Sequence, residues 1–240
     1  MNEFQMKYQA QIEELAATAN RLAALGYVTS QGGNLSLRAD DNVILITPTK
    51  VAKADVCFED ICAIDMEGKV IHTSEGRRPT GEWPFHLRIM QKRPDVKGII
   101  HAHPPILTGF AIAGGDILQR AYLPEPAFEV GPMMMVPYAV PLSDELAENF
   151  DSVIHLSNGF LMENHGCVMV SPEGLKRCLE MIEMMEAQGK SIIVARLLGN
   201  LQAFDASRID ELDEKVMKVR NMPMPGLPGA VDRLSDIFKS

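Results

Sequence analysis

Ile12, Leu15, Ala16, Ala19, Leu22 and Ala23 recur at the spacing of one helix face, and Gly26 follows where a left-handed C-cap belongs, so the chain is expected to open with an amphipathic helix. Asn34 to Arg38 and Val43 to Thr47 are short strand-like runs divided by the turn formers Asp40-Asp41-Asn42, which predicts a hairpin. A second hairpin fits Ile61 to Asp65 and Lys69 to His72 around Met66-Glu67-Gly68. Pro84 suits a first helical turn, so a helix is predicted from Glu82 to Arg93 with Glu82 at its N-terminal end. Ile99 to His103 reads as a strand closed by Pro104-Pro105, and Met133 to Tyr138 as another closed by Pro141.

Further along, Phe160 to Glu163 and Cys167 to Val170 flank an Asn164-His165-Gly166 turn. Ser171-Pro172-Glu173 carries the cap and proline signals of a long helix through about Leu198, with Met181, Met184 and Met185 as core filler. A shorter acidic helix spans Ile209 to Val219, and the Pro- and Gly-rich stretch Pro223 to Gly229 is expected to lie as an arm against the body or a neighbouring subunit. These elements predict an α/β chain: a three-layer α/β/α single domain with a mixed, largely antiparallel central sheet, residues 1–221 forming the body and 222–240 the arm.

Length and composition narrow the class. No Pro/Gly/Ser-rich linker divides the 240 residues, and a net charge of -9 with a pI of 5.2 opposes nucleic-acid or anionic-membrane binding, since no basic run exceeds Arg77-Arg78. A small-molecule partner and a cytoplasmic location are expected, because the apolar segments are broken by prolines well short of a membrane span. Cys57, Cys62, Cys167 and Cys178 form no C-x-x-C pair and read as reduced core residues.

The candidate chemistry is carried by histidine. His101 and His103 end an apolar run, and a strand repeats its side-chain direction every second residue, so both imidazoles would leave one face roughly 7 Å apart at the backbone. A histidine pair of this kind is more often structural than ligating, but a third, His165, follows another apolar run, and the acidic Glu82 precedes the pair. Three nitrogens with one displaceable oxygen make the composition of a catalytic zinc site. Gly33 and Asn34 could approach an anion through backbone N–H and amide, with Thr47 and Thr49 adding hydroxyls.

Five segments taken together, Gly33-Asn34-Leu35-Ser36-Leu37-Arg38, Thr47-Pro48-Thr49, Glu82-Trp83-Pro84-Phe85-His86, His101-Ala102-His103 and Asn164-His165-Gly166, resemble the class II aldolase/adducin family in order and spacing from roughly Leu15 to Leu198. The resemblance implies a zinc site of His101, His103 and His165, Mn2+ or another divalent ion being an alternative. Glu82 would ligate at rest and transfer protons when substrate arrives. It also assigns the loop at Gly33-Asn34, with Thr80 and Gly81, to a substrate phosphate. The chain departs from that pattern at Thr80-Gly81, where related aldolases carry a serine pair, and at Lys50, where they carry glycine; Lys50 would add a charge. No tyrosine follows Tyr138, which leaves Tyr122 as the candidate proton donor in place of the family's tail tyrosine.

The function implied is zinc-dependent retro-aldol cleavage of a ketose 1-phosphate, of the L-fuculose 1-phosphate type, into dihydroxyacetone phosphate and a short aldehyde. The alternatives on this scaffold are a decarboxylase, dehydratase or 4-epimerase of a small sugar phosphate or sugar acid, and a non-catalytic adducin-like module. A homotetramer is expected from the resemblance and from Met222, Met224 and Leu227, which would be poorly covered on a lone subunit.

Overall fold

The computed structural model describes residues 1–217 and 224–239; Val219, Met222, Pro223 and the expected body–arm boundary lie outside the described residues. Helices α1 (Glu3–Lys7) and α2 (Gln9–Ala24) lead into the hairpin of β1 (Asn34–Asp40) and β2 (Val43–Ile46), then into that of β3 (Cys62–Ile64) and β4 (Val70–His72). After α3 (Trp83–Lys92) come β5 (Gly98–Ala102), α4 (Pro105–Ile112), α5 (Pro124–Glu129), β6 (Met134–Val136) and α6 (Asp144–Asn149). The chain continues through β7 (Gly159–Met162), β8 (Gly166–Ser171), the long α7 (Leu175–Leu197) and α8 (Ala206–Leu212). The strands form one eight-stranded sheet in the order β4-β3-β2-β1-β5-β8-β7-β6, antiparallel except for the parallel pair β6 and β7.

Strand alternation gives the sheet two covered faces. Leu35 and Leu37 of β1 and Ile100 and Ala102 of β5 pack with Leu15 and Ala19 of α2 and Met181 and Ile182 of α7. On the opposite face Ile99, Val168 and Val170 pack with Phe85 and Ile89 of α3 and with Phe150 just after α6. The result is the expected three layers. Between the apolar residues, β1 presents Asn34, Ser36 and Arg38 toward α3, where Arg38 Nη2 donates to the carbonyl of Met90 in the helix's last turn at 2.7 Å. An arginine at that end also complements the helix dipole.

Several boundaries depart from expectation for local reasons. Ser171 ends β8 and its hydroxyl accepts from Glu173 N–H at 3.0 Å, so the long helix begins only after Gly174, whose φ of +109° turns the chain. β6 stops at Val136 because Pro137 has no N–H to continue a ladder. The Pro104-Pro105 pair that closes β5 also opens α4, proline being compatible with a helix's first turn. Cys57 is exposed on a loop rather than buried in the core; Cys62, Cys167 and Cys178 are buried and free.

The described part of the tail folds back on its own subunit. Met224 packs in a cluster with Phe128, Ile209 and Leu234, Gly226 N–H donates to Asn158 Oδ1 at 3.2 Å, and Leu227 N–H donates to His155 O at 3.3 Å. Met224 and Leu227 are thus half-buried within one chain, which removes the uncovered-tail argument for an oligomer. No described helix is long and apolar enough to cross a membrane.

At Gly98 in the central strand, an added Cβ would lie 2.5 Å from the Gly174 carbonyl carbon and 2.7 Å from Leu175 N, both rigid backbone. Gly98→Ala is therefore expected to lower stability by about 1–3 kcal/mol through overpacking of α7 on β5. Chemical denaturation checks it, and an unchanged midpoint would show that α7 can move away without loss.

Candidate active site

Four functional side chains arrive from three places on the α3 face of the sheet: the end of β5, the turn between β7 and β8, and the head of α3. His101 shares that face with Ile99 in β5, but β5 ends at Ala102 because His103 N–H leaves the ladder to donate to Tyr27 O at 2.8 Å. His103 is therefore one residue past the strand, not in it, and still turns its ring back to the same place. His165 sits in the turn between β7 and β8 beside Asn164, whose φ is +54°. Glu82 occupies the N-cap of α3 yet makes no side-chain capping bond. Its carboxylate instead lies 3.5 Å from His101 Nε2 and 3.7 Å from His165 Nε2.

The three histidines offer ring nitrogens that all lie within 4.8 Å of one another, and His101 Nε2 is 3.1 Å from His103 Nε2. Ligands about 2.0–2.1 Å from a tetrahedral zinc ion stand roughly 3.3 Å apart, so the His101–His103 spacing fits one ion as it stands, and a cluster spread of up to 4.8 Å would contract around it. His101 Nδ1 lies 3.0 Å from the Cys167 carbonyl, which can only accept, so the proton is on Nδ1 and the Nε2 lone pair faces the cluster. Burial and the neighbouring imidazoles hold His101 and His103 down to about 3, so both rings are in the neutral, ligating form.

Glu82 is gripped from behind. Asn34 Nδ2 donates to its Oε2 at 2.7 Å, Asn34 Oδ1 meets His86 Nε2 at 2.5 Å, and His86 Nδ1 meets Ser36 Oγ at 2.7 Å. His86 has no exposed surface and stacks on Phe85 with centroids 4.4 Å apart. Burial pushes the His86 pKa well below its usual range.

The cluster opens into a cavity of about 240 Å³, lined by Gly33, Asn34, Thr49, Lys50, Thr80 and Gly81 beside Glu82, His103 and His165. Gly33 has φ +69°, and a Cβ there would come within 2.8 Å of His101 O, so only glycine lets this loop lie against the end of β5. The Thr47–Lys50 segment is zipped to residues 78–80 by Thr49 N–H to Arg78 O and Thr80 N–H to Thr47 O, each 3.0 Å. Lys50 adopts φ +60°, a left-handed conformation that explains a glycine at this place in the family pattern.

Two expected site residues stand elsewhere. The Thr47 hydroxyl is fully buried and accepts from Leu35 N–H at 3.1 Å, so it belongs to the contact between β1 and the residue after β2, not to the cavity wall. Tyr122 packs partly buried against the α2–α7 core, outside this cavity, where burial raises its hydroxyl pKa. Asn34 lines the cavity, but its side-chain amide is engaged by Glu82 and His86, leaving its anion contact to the backbone.

Lys53 went unnoticed in the sequence, where it is one lysine among small apolar neighbours. It is 1% exposed, lines the cavity, and among the described residues its ammonium donates only to the carbonyls of Gln31 and Val51, both at 3.2 Å. Burial lowers its pKa to about 8. A buried cation with carbonyl partners alone retains a donor and a charge for an anionic ligand. His86 did carry a signal: it stands four residues after Glu82, the spacing that puts two side chains on one helix face.

Comparison with known proteins gives a consistent set. Residues 13–190 match the profile of the class II aldolase and adducin N-terminal domain family. The chain is 32% identical over 167 residues to the 3-oxo-tetronate 4-phosphate decarboxylase of Haemophilus influenzae, covering 68% of this chain and 78% of that protein. It is 35% identical over 147 residues to an L-fuculose phosphate aldolase of Methanococcus maripaludis, covering 61% and 77% respectively. Among solved structures, the YgbL protein of Escherichia coli aligns with a TM-score of 0.78 at 25% identity, covering 85% of this chain and 98% of that one.

The donor set leads to an elemental measurement. The purified chain is expected to carry about one zinc-like divalent ion, and His103→Ala to lose it, because two imidazoles leave too few ligands for a stable site. Full occupancy in His103→Ala would remove His103 from the ligand set.

Proposed function

Because the chain belongs to the class II aldolase and adducin family, we propose that it is a divalent-metal-dependent carbon–carbon lyase that decarboxylates a small 3-oxo sugar-acid phosphate. His101, His103 and His165 would hold the ion, with Glu82 as the oxygen that substrate displaces. A divalent ion held there supplies Lewis acidity to the substrate's ketone oxygen. Everything else asked of the site falls to its own side chains.

Loss of carbon dioxide beside a ketone leaves the bonding electron pair on the adjacent carbon as an enediolate, and one proton returned to that carbon completes the product. Glu82, supported by Asn34 and facing the cavity, is placed to take a proton from solvent water and pass it to that carbon, returning to its carboxylate form. The observation that carries the reading is that Glu82 is the sole carboxylate lining the cavity, among the described residues, and that Tyr122 is outside it. Decarboxylation needs one proton at one atom. Retro-aldol cleavage must also take a proton from the hydroxyl that becomes the aldehyde. Lys53 and Lys50, with the hydroxyls of Thr49 and Thr80 and the backbone of Gly33 and Gly81, suit a doubly anionic substrate carrying carboxylate and phosphate.

Retro-aldol cleavage of a ketose 1-phosphate is the second reading, supported by the aldolase of Methanococcus maripaludis, and it passes through the same enediolate with an aldehyde leaving in place of carbon dioxide. A non-catalytic role is disfavoured by a chain that keeps three clustered histidines and an opposed carboxylate.

Incubation of the zinc-loaded protein with 3-oxo-tetronate 4-phosphate is expected to release carbon dioxide and dihydroxyacetone phosphate with a higher kcat/KM than cleavage of L-fuculose 1-phosphate. The reverse preference would establish the aldolase reading.

A symmetric homo-oligomer, with four subunits as the expected number, is supported by Tyr138, Val140 and Leu142, close in sequence, which expose 54%, 63% and 61% of their surface, Leu142 bordering the cavity. Light scattering should give a multiple of the 26.5 kDa subunit, and a value of 26.5 kDa at assay concentration would exclude assembly.

A further inference from the structure

We propose that His86 is a positioning residue that orients the Glu82 carboxylate through the amide of Asn34. The inference takes Glu82 as the proton-transfer group and to that extent rests on the lyase reading. His86 itself does not line the cavity.

A side-chain amide has a donor end and an acceptor end of nearly the same shape, so its partners decide which way it points. Asn34 lies between Glu82 Oε2 at 2.7 Å and His86 Nε2 at 2.5 Å. The ionised carboxylate only accepts, so the Asn34 NH2 faces Glu82 and its carbonyl oxygen faces His86. That oxygen also only accepts, which requires the proton of the neutral imidazole to be on Nε2. Nδ1 then holds the lone pair and takes the hydroxyl proton of Ser36 at 2.7 Å.

Every bond in the chain thus has one direction, running from Ser36 through His86 and Asn34 to Glu82. Ser36 and His86 have no exposed surface and do not line the cavity, so at their end of the chain no solvent is at hand to replace a missing partner. Without the His86 N–H the Asn34 carbonyl oxygen is left buried without its donor, and the amide keeps only its bond to Glu82. An amide held at one end can rotate away from the line that places Glu82 opposite His101 and His165, so the carboxylate loses its fixed orientation.

The competing explanation is packing, since His86 also stacks on Phe85. Three variants in the zinc-loaded protein separate the two. His86→Phe keeps the ring and removes the N–H; it is expected to lower kcat about ten- to hundredfold with KM nearly unchanged, the scale of one lost hydrogen bond to a charged group. His86→Gln, which can donate to Asn34 and accept from Ser36, should restore most of the loss. In a Glu82→Gln background, His86→Phe should cause no further loss. Equal activity of the Phe and wild-type proteins, failure of Gln to exceed Phe with both folded, or a loss that multiplies with Glu82→Gln would overturn the proposal.

A second measurement does not depend on turnover. In the 15N-histidine NMR spectrum of the wild-type protein, the His86 ring should show the Nε2–H tautomer, and the Asn34 side-chain amide proton should move in both His86→Phe and Glu82→Gln. An Nδ1–H tautomer, or an Asn34 amide indifferent to either substitution, overturns the proposal even if the enzyme is active. Absence of turnover with the expected NMR signature would instead overturn the lyase reading and leave the positioning chain in place.

Discussion

Asn34, Ser36 and Arg38 alternate along one face of β1, and all three bond to the region of α3: Asn34 to Glu82 and His86, Ser36 to His86, Arg38 to Met90 O. A polar stripe inside a three-layer fold is costly unless each group finds a partner. Here most of the partners belong to α3 and its N-cap, with Val96 O also accepting from Arg38 Nε, so satisfying them sets both the position of α3 along β1 and its rotation about its own axis. Hydrophobic contact through Phe85 and Ile89 could tolerate a slide by part of a turn. The hydrogen bonds could not, and Glu82 at the head of the helix inherits that precision.

The rest of the site follows from sheet order. β1, β5, β8 and β7 are neighbours, so the end of β5 with His101 and His103 falls beside the β7–β8 turn that carries His165. Glycine at 33 permits the loop before β1 to lie against the carbonyl of His101. The histidines are thus held by main-chain hydrogen bonds, His101 in the sheet ladder and His103 and His165 just beyond it, while Glu82 is held by side-chain bonds, a division that keeps the nitrogen donors fixed and gives the carboxylate a grip that a substrate could compete with.

The wall facing the cluster has a different character. Thr49, Lys50, Thr80 and Gly81 belong to two loops tied to each other by backbone bonds, and Lys53 is anchored beneath them by two carbonyls. A pocket built mainly of short hydroxyls and backbone, with a buried ammonium supplying charge, is suited to an anion that must be held close without large side chains filling the space. Leu142 borders the same opening with φ +72°, placing an apolar side chain at its rim.

Local patterning determined a good deal. Periodicity and turn residues marked both hairpins, the helix from Glu82 and the strand entering His101, because each depends on residues within one element. The His101-Ala102-His103 alternation and the apolar runs before His165 were sufficient to single out the three histidines that the fold gathers within 4.8 Å.

Tertiary structure decided where a polar group finds its partner, which one-dimensional patterning cannot express. Thr47 and Asn34 are both polar residues near the anion loop, yet the Thr47 hydroxyl turns to a backbone N–H of the neighbouring strand and the Asn34 amide to Glu82, 48 residues away. Tyr122 was a reasonable acid by type and stands outside the cavity, whereas Lys53 had no such claim and lines its wall, and His86, marked only by its spacing from Glu82, supports that carboxylate. A side chain's hydrophobicity and spacing are properties of its own segment, and these the sequence determined; its burial, protonation and hydrogen-bond direction depend on which distant segments close around it, and these were set only when the sheet brought β1, β5 and α3 together.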